Sequence, residues 1–425
     1  MGWSALRYRP FQVFLGSMLL STTANFVYYA ALGWYVVGLT GSAAAVGLSF
    51  TAYGAAGLLL TAHAGVLTDR YGSKPMLVLS IGLMSLASFA IAAVAMLSAP
   101  PFPAILTLAF LLGVAQTVGA PAVVAIVNDL VPPPAVSSSI ALNFLHMNVA
   151  RIVGGLIGGA LLAATSPAVA FVFTGILGAV PVLLALRLPS SPPASDERPV
   201  TPVLRSLWEA LGYAARFPTL GVVTGLAIVP GLVGLSYIFM LPVAAEELGA
   251  GPGGLGTLLA ASGVGGLVAG LSLERIQRRI GHGRAMLGGL GLGSAALVAF
   301  GLAPSIELAS IALAVVGGSI LMYAAANVTL ISALSPPPLR GRLVSIFALL
   351  YWGMLPVGSA LLGFIAEPTS AQFAVLLGGL ALGTSAFVVW RVRPQIATLA
   401  ITRDGVTLTG DLTGSGVEPV ERAAA

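Results

Sequence analysis

Long apolar runs alternate with short polar ones twelve times along this chain. Each run holds roughly 20 residues or more, enough for a helix rising 1.5 Å per residue to cross about 30 Å of bilayer hydrocarbon. The first six lie near Phe11–Val37, Ala44–Leu67, Met76–Ser98, Ala104–Val131, Ile140–Thr165 and Ala168–Leu186. The second six lie near Leu220–Ala244, Gly254–Leu273, Ala285–Ala303, Ile306–Leu334, Leu343–Ala366 and Ala371–Trp390. The pattern predicts an all-α membrane protein of twelve transmembrane helices.

The polar gaps are not equivalent. Arg7 and Arg9, Arg70 and Lys74, Arg187 to Arg216, Arg275 to Arg284, Arg340 and Arg342, and Arg391 to Arg422 fall in alternate gaps. The intervening gaps, near Gly41, Pro101, Pro167, Gly251, Pro304 and Pro368, have no basic residue. Basic loops are retained on the cytoplasmic side, so the expected location is the bacterial cytoplasmic (inner) membrane, multi-pass, with both termini cytoplasmic. Of the 19 basic residues only Arg151, inside the fifth run, breaks the rule.

The runs divide the chain into an N-terminal six-helix bundle (1–188), a cytoplasmic linker (189–217), a C-terminal six-helix bundle (218–391) and a cytoplasmic tail (392–425). The linker is rich in Pro and Ser and ends in an amphipathic Leu204–Phe217 stretch; the Gly- and Thr-rich tail reads as a short hairpin or as chain without fixed structure. The halves repeat. Gly65-Val-Leu-Thr-Asp69-Arg70 matches Gly270-Leu-Ser-Leu-Glu274-Arg275, and Pro132-Pro133-Pro134 matches Pro336-Pro337-Pro338, at nearly one offset. Two parallel six-helix repeats, both starting inside, suit a transporter whose bundles rock around a midplane site.

Composition narrows the class further. Apolar residues make up 57% and charged ones 8%, against about 45–50% and 25% in soluble domains. The net charge of +5 follows from the loop rule, and no basic patch is interleaved with aromatics, so nucleic acid is not an expected partner. The absence of cysteine excludes disulfides and thiolate chemistry. The first run is too long for a signal-peptide core and lacks a small-residue cleavage site. The expected partners are a small molecule and the lipid bilayer, and the chain is expected to act as a monomer.

The stretch Gly65-x-Leu67-x-Asp69-Arg70-x-Gly72-x-Lys74 resembles the cytoplasmic signature loop of the major facilitator superfamily. With Asn128-Asp129-Leu-Val-Pro132, Asn148-x-x-Arg151-x-x-Gly154, Leu241-Pro242-Val243 and Pro338-x-Arg340-Gly341-Arg342-x-x-Ser345, the chain resembles the bacterial exporter branch of enterobactin-exporter-like and macrolide-efflux-like proteins. The resemblance implies the major facilitator fold and secondary active transport, without enzymatic activity. Two positions depart from the pattern: Asn25 stands where relatives often carry an acid, and Gly154-Gly155 replaces the usual Gly-Pro of the fifth helix.

The resemblance also implies a conformational latch. Asp69 would sit against the positive end of the eleventh helix, where a helix N-terminus carries about +0.5 charge. Arg70 would pair with Asp129, and Glu274 and Arg275 would mirror them. Gly65, Gly72, Lys74, Arg340 and Arg342 complete the set. Solvated loop charge is the plainer alternative.

Arg151 lies roughly 16 Å into its helix, and no carboxylate occurs in the core of any run. An arginine there costs about 2.5–3.5 kcal/mol even on lenient scales, so it should face the bundle interior. Either it attracts an anionic or carbonyl-bearing part of a substrate, or Asn25, Asn148, helix carbonyls and water satisfy it. The cavity candidates around it are Asn25, Tyr28, Tyr29, Gln116, Asn148, Tyr237, Met240, Tyr323, Asn327, Tyr351 and Trp352. Aromatics, Met and a few amides make an adaptable surface for amphipathic ligands.

His63 and His146 are the histidines within runs, and each is either a packing residue or a coupling group. No His/Glu pair has ligand spacing, so no metal is expected. The glycine-rich Gly249–Gly270 stretch lacks the strand that a nucleotide loop follows and reads as helix packing. No cofactor is expected, the proton gradient being the candidate driving force. Three readings stay open: a drug or metabolite exporter, an importer or uncoupled facilitator, and a non-transporting sensor or lipid-handling protein.

Overall fold

A computed structural model describes residues 3–189, 203–402 and 405–408. The first six spans are α1 (Arg9–Thr40), α2 (Ala43–Tyr71), α3 (Ser73–Ala95), α4 (Phe102–Leu130), α5 (Val136–Ala164) and α6 (Pro167–Ala185). A linker helix, α7 (Val203–Arg216), follows. The seventh span combines α8 (Pro218–Gly225) and α9 (Leu241–Glu247). Next come α10 (Gly251–Ile280), α11 (His282–Gly301) and α12 (Ile306–Leu334). The eleventh combines α13 (Pro337–Trp352) with α14 (Leu355–Ala366), and α15 (Ala371–Val392) is the twelfth. Among the described residues, eleven segments are long and apolar enough to cross a membrane. The remaining span, α1, is 32 residues long and packs beside α5 and α6; its polar middle, Ser21 to Asn25, dilutes its hydropathy.

Local chemistry sets the helix ends. Proline opens α4, α6, α8 and α13, where its missing N–H costs nothing. Ser42, Ser166 and Ser370 cap α2, α6 and α15 by accepting from the N–H three residues on. Gly72 and Gly281 form the same turn in the two halves, with φ/ψ of 87°/159° and 84°/161°. Only glycine adopts that conformation freely, which accounts for Gly72 in the signature loop.

Within the first half α1 packs on α5 and α6, and α3 and α4 pack with α2 and α6; α10, α11, α12 and α15 are the corresponding frame of the second half. The halves meet along two seams, α5 against α10 and α2 against α14. Both depend on glycine. A Cβ on Gly159 would sit 2.8 Å from Gly256 Cα and from the Pro252 carbonyl oxygen, and one on Gly363 would sit 3.0 Å from Gly47 Cα. These contacts gather at the end opposite the basic loops. Towards the basic end α13 turns away, packing on α7, α8 and α12.

Two spans expected to be continuous are broken. The seventh leaves α-geometry after Gly225, runs through a π turn at Pro230–Gly234 and a 3-10 turn at Ser236–Phe239, and resumes at Leu241. The eleventh breaks between Trp352 and Leu355. Prolines 230, 242 and 356 each remove an amide donor and crowd the preceding turn. Ser236 Oγ links the two breaks, lying within donating distance of Gly231 O at 3.3 Å and of Leu355 O at 3.2 Å.

Of the expected latch contacts, the one between Asp69 and the start of α13 is not made among the described residues. Asp69 and Arg70 are exposed at the end of α2, Asp69 makes no hydrogen bond or ion pair among the described residues, and the Arg70 guanidinium lies over Tyr71, 5.5 Å from its ring centroid. Glu274 pairs with Arg278 at 2.5 Å, Arg342 with Glu209 of α7 at 3.1 Å, and Lys74 Nζ donates to Leu188 O at 2.6 Å, capping the end of the sixth span. Asp129, Arg275 and Arg340 are exposed. Among the described residues no hydrogen bond or ion pair joins the basic end of α2 to α13. Strands β1 (Leu399–Thr402) and β2 (Gly405–Leu408) pair as an antiparallel hairpin; Ile396 before it and Leu399, which opens β1, are buried. Arg198, Arg403 and Arg422, residues 190–202 of the linker and the end of the tail lie outside the described residues.

Substituting Gly159→Val should force α5 and α10 apart at the glycine end. The natural chain has no cysteine, so Ala260→Cys in that seam can be labelled cleanly. Its reaction with a thiol reagent should be several-fold faster in the Gly159→Val background; an unchanged rate would show that the seam tolerates the side chain.

Candidate functional site

The centre of the molecule, between the two seams, is where α1, α2, α5, α10 and the broken seventh and eleventh spans converge. On α1 the spacing of Asn25 and Tyr29 is one helical turn, and Asn25 Nδ2 donates to Tyr29 OH at 3.1 Å. Tyr29 OH donates to Tyr53 OH on α2 at 3.0 Å. Phe50, one turn before Tyr53, stacks on Phe239 of the seventh span with centroids 4.1 Å apart, and Phe239 meets Tyr29 edge-on at 5.7 Å. Aromatic rings therefore cross from one half to the other.

Arg151 lies beside this cluster on α5. Its Nη1 donates to Ser262 Oγ on α10 at 3.3 Å, and Ser262 Oγ is 2.7 Å from Tyr237 OH. The guanidinium carbon is 5.3 Å from the centroid of the Phe26 ring, an attractive placement because the ring face is electron-rich. Arg151 Nε is buried with no hydrogen-bond partner. No carboxylate pairs with Arg151 among the described residues. A buried donor left unpaired costs about 1–3 kcal/mol or more when charged. Asn148, one turn before Ile152, projects at Gly266, where a Cβ would lie within van der Waals overlap of its Oδ1. The observed neighbours of the Arg151 side chain are Ser262 and Phe26.

The remaining candidates divide. Tyr28 is buried, and with Asn25 it borders a cavity of about 20 Å³ within the first half, lined also by Ser21, Ser85, Ser88 and Thr174. That is room for one water, and both Tyr28 OH and Asn25 Oδ1 lack a protein partner. Tyr351 is buried under Tyr323 and Phe347, at centroid distances of 6.1 and 5.2 Å. Met240 is buried, and Asn327 donates to Val223 O at 3.0 Å and to Tyr323 OH at 3.1 Å. Tyr323, Asn327 and Met240 thus pack inside the second half. Gln116 and Trp352 are exposed, and neither joins the hydrogen bonds of the cluster.

Five members were not singled out from the sequence: Phe26, Phe50, Tyr53, Phe239 and Ser262. Phe50 and Tyr53 are three apart in a helix otherwise rich in Ala and Gly, a detectable one-face aromatic pair. Ser262 hides in a glycine-rich stretch that reads as packing. His146 Nε2 is 3.3 Å from Thr22 Oγ1, and His63 is exposed. No cluster able to hold a metal is found among the described residues.

A helical chain of this size with two six-span repeats around a polar–aromatic centre defines a membrane transport protein. Solved structures bear this out at the level of fold. The nucleoside transporter NupG superposes with a TM-score of 0.74 at 14% identity, over 90% of this chain and 98% of its own. A D-xylose–proton symporter superposes at 0.71, with 14% identity over 90% and 98%. The chain belongs to the transmembrane secretion effector family of the major facilitator superfamily, whose model matches residues 1–402. Among curated relatives, the enterobactin exporter EntS of Citrobacter koseri is 26% identical over 353 residues, 81% of this chain and 84% of its own. EntS of Shigella boydii is 26% identical over 354 residues with the same shares.

Tyr237→Phe should leave the fold intact and lower the free energy of unfolding by about 1 kcal/mol, the usual worth of one neutral hydrogen bond. Denaturant unfolding of the purified protein measures it, and no loss would mean that Ser262 is held without Tyr237.

Proposed function

We propose that this protein exports a small amphipathic solute, drug-like or a secreted metabolite, across the bacterial inner membrane by alternating access. The observation that carries the reading is Arg151. It lies at the junction of the halves, touches both, keeps a buried Nε unpaired and stands among aromatic rings. Such a centre suits a ligand with an anionic or carbonyl group beside an apolar body. Export is supported by the relatives, which are named enterobactin exporters.

In this reading the units 1–188 and 218–391 rock about the centre as a monomer, with both termini cytoplasmic. The glycine seams then close the periplasmic end, and the structure is the inward-facing state. Solute enters from the cytoplasm or inner leaflet and meets Arg151, with Asn25, Tyr28, Tyr29, Asn148, Tyr237 and Tyr351 shaping its surroundings. As the basic ends close, Asp69 meets the start of α13 and holds the outward-facing state through the helix dipole. The proton gradient drives the cycle.

The lack of a carboxylate in the core of any span favours a second reading, an uncoupled facilitator or importer. One experiment addresses both. Accumulation of a panel of dyes, macrolides and catechol siderophores is measured in bacteria stripped of their own pumps, with and without an uncoupler. The expected result is lowered accumulation of at least one compound, restored by uncoupling, by Arg151→Gln and by Asp69→Ala. Raised accumulation would reverse the direction, and export indifferent to uncoupling would leave the facilitator. Normal handling of every substrate by Arg151→Gln would end the role given to that residue.

A further inference from the structure

The two seams between the halves are not held in the same way. Along α5 and α10 the contact is glycine against glycine and carbonyl, with Gly159 on Pro252 and Gly256. The chain at that end of α5, Ala160 to Ser166, has no ionisable side chain. Along α2 and α14 the same close approach occurs, Gly47 on Gly363, but a carboxylate follows it. Glu367 stands one residue past α14, and its Oε2 accepts from the Ala44 backbone N–H at 2.8 Å and from Ser42 Oγ at 2.9 Å.

Ser42 and Ala44 open α2, which belongs to the other half. Ser42 Oγ in turn accepts from Ala45 N at 3.1 Å. The first turn of α2 is therefore capped from across the seam. A helix N-terminus has four unpaired N–H groups and a partial positive charge, so a carboxylate is the best neutraliser for it. These hydrogen bonds, first the Ala44 amide and then the Ser42 hydroxyl, hold the Glu367 carboxyl below the usual carboxylate range. Glu247, which ends α9, caps α15 through the Ala371 N–H at 2.8 Å, but that contact stays within one half. Glu307, exposed in the first turn of α12 at the same end, is held by Ser305 and its own backbone.

We infer that Glu367 is a gating residue: its carboxylate clasps the N-terminus of α2 and holds the two halves closed at the end opposite the basic loops. The contact lies between units that must separate there during alternating access, so it has to break in every cycle. It places on that face the same physical device that the signature Asp69 is expected to supply on the other, a carboxylate on a helix N-terminus of the opposite half. One clasp closes as the other opens. The inference rests on the two-half architecture and is independent of the substrate and direction of transport.

The test uses the full-length protein in nanodiscs. Spin labels at Ser98→Cys and Leu302→Cys, exposed residues at this end of the two halves, report their separation by pulsed dipolar spectroscopy. Loss of a charged cap should raise the ratio of separated to closed molecules roughly tenfold in Glu367→Ala. Glu367→Gln, which keeps an acceptor and loses the charge, should give a smaller rise and guards against a variant that folds poorly. Glu307→Ala should leave the distances as they are. Unchanged distributions in both Glu367 variants overturn the inference, and so does an equal shift in Glu307→Ala. Transport assays are not needed, so failure here is distinguishable from failure of the proposed function.

Discussion

Backbone-to-backbone contact at the glycine seams is the constraint from which the rest of the molecule follows. Where Gly47 meets Gly363 and Gly159 meets Gly256, no side chain separates the helices, and dispersion acts over main-chain atoms at close range. In a lipid solvent there is no hydrophobic gain from pressing the halves together, so close fit and polar pairing must supply the attraction. The same contacts, concentrated at one end, hold the halves closed there and set the depth at which Arg151 meets Ser262. Moving either seam by the width of a methyl group would displace that pairing.

The fold was largely legible in the residues because the bilayer enforces it. Spans were countable from run length, and the repeat of the halves from motifs such as Gly65 to Arg70 and Gly270 to Arg275. The breaks in the seventh and eleventh spans were less visible, since run length records hydropathy and not helix continuity. Pro230-Gly231 and Gly353 to Pro356 were the available sign. The site was half legible. Arg151 announces itself by charge in an apolar run, but its partner does not, because a serine among glycines is ordinary in a membrane helix. The aromatic crossing of Phe50 and Phe239 depends on the rotation of two helices about their axes, which spacing within one helix cannot supply.

The signature loop shows how a motif and a state differ. Asp69 has the sequence context of a latch and none of its contacts, whereas Glu367 has the contacts and belongs to no motif used in the sequence reading. A motif records what some state of the cycle requires. Helix ends satisfied by a residue from elsewhere record what the present state requires. Both are N-terminal charge effects, worth similar energies at similar exposure.

The breaks in the seventh and eleventh spans lie against each other, with Gly358 under the Leu232 carbonyl and Ser236 hydrogen-bonded to residues on both sides. Both belong to the second half; the first half spans the membrane in helices that run uninterrupted past Pro121 and Pro181. Duplication thus produced two copies that have since diverged mechanically, one a stiff frame that carries the buried charge, the other a jointed frame able to bend around it. Substitutions that stiffen or loosen a helix should therefore be tolerated unequally by two halves that began as the same sequence.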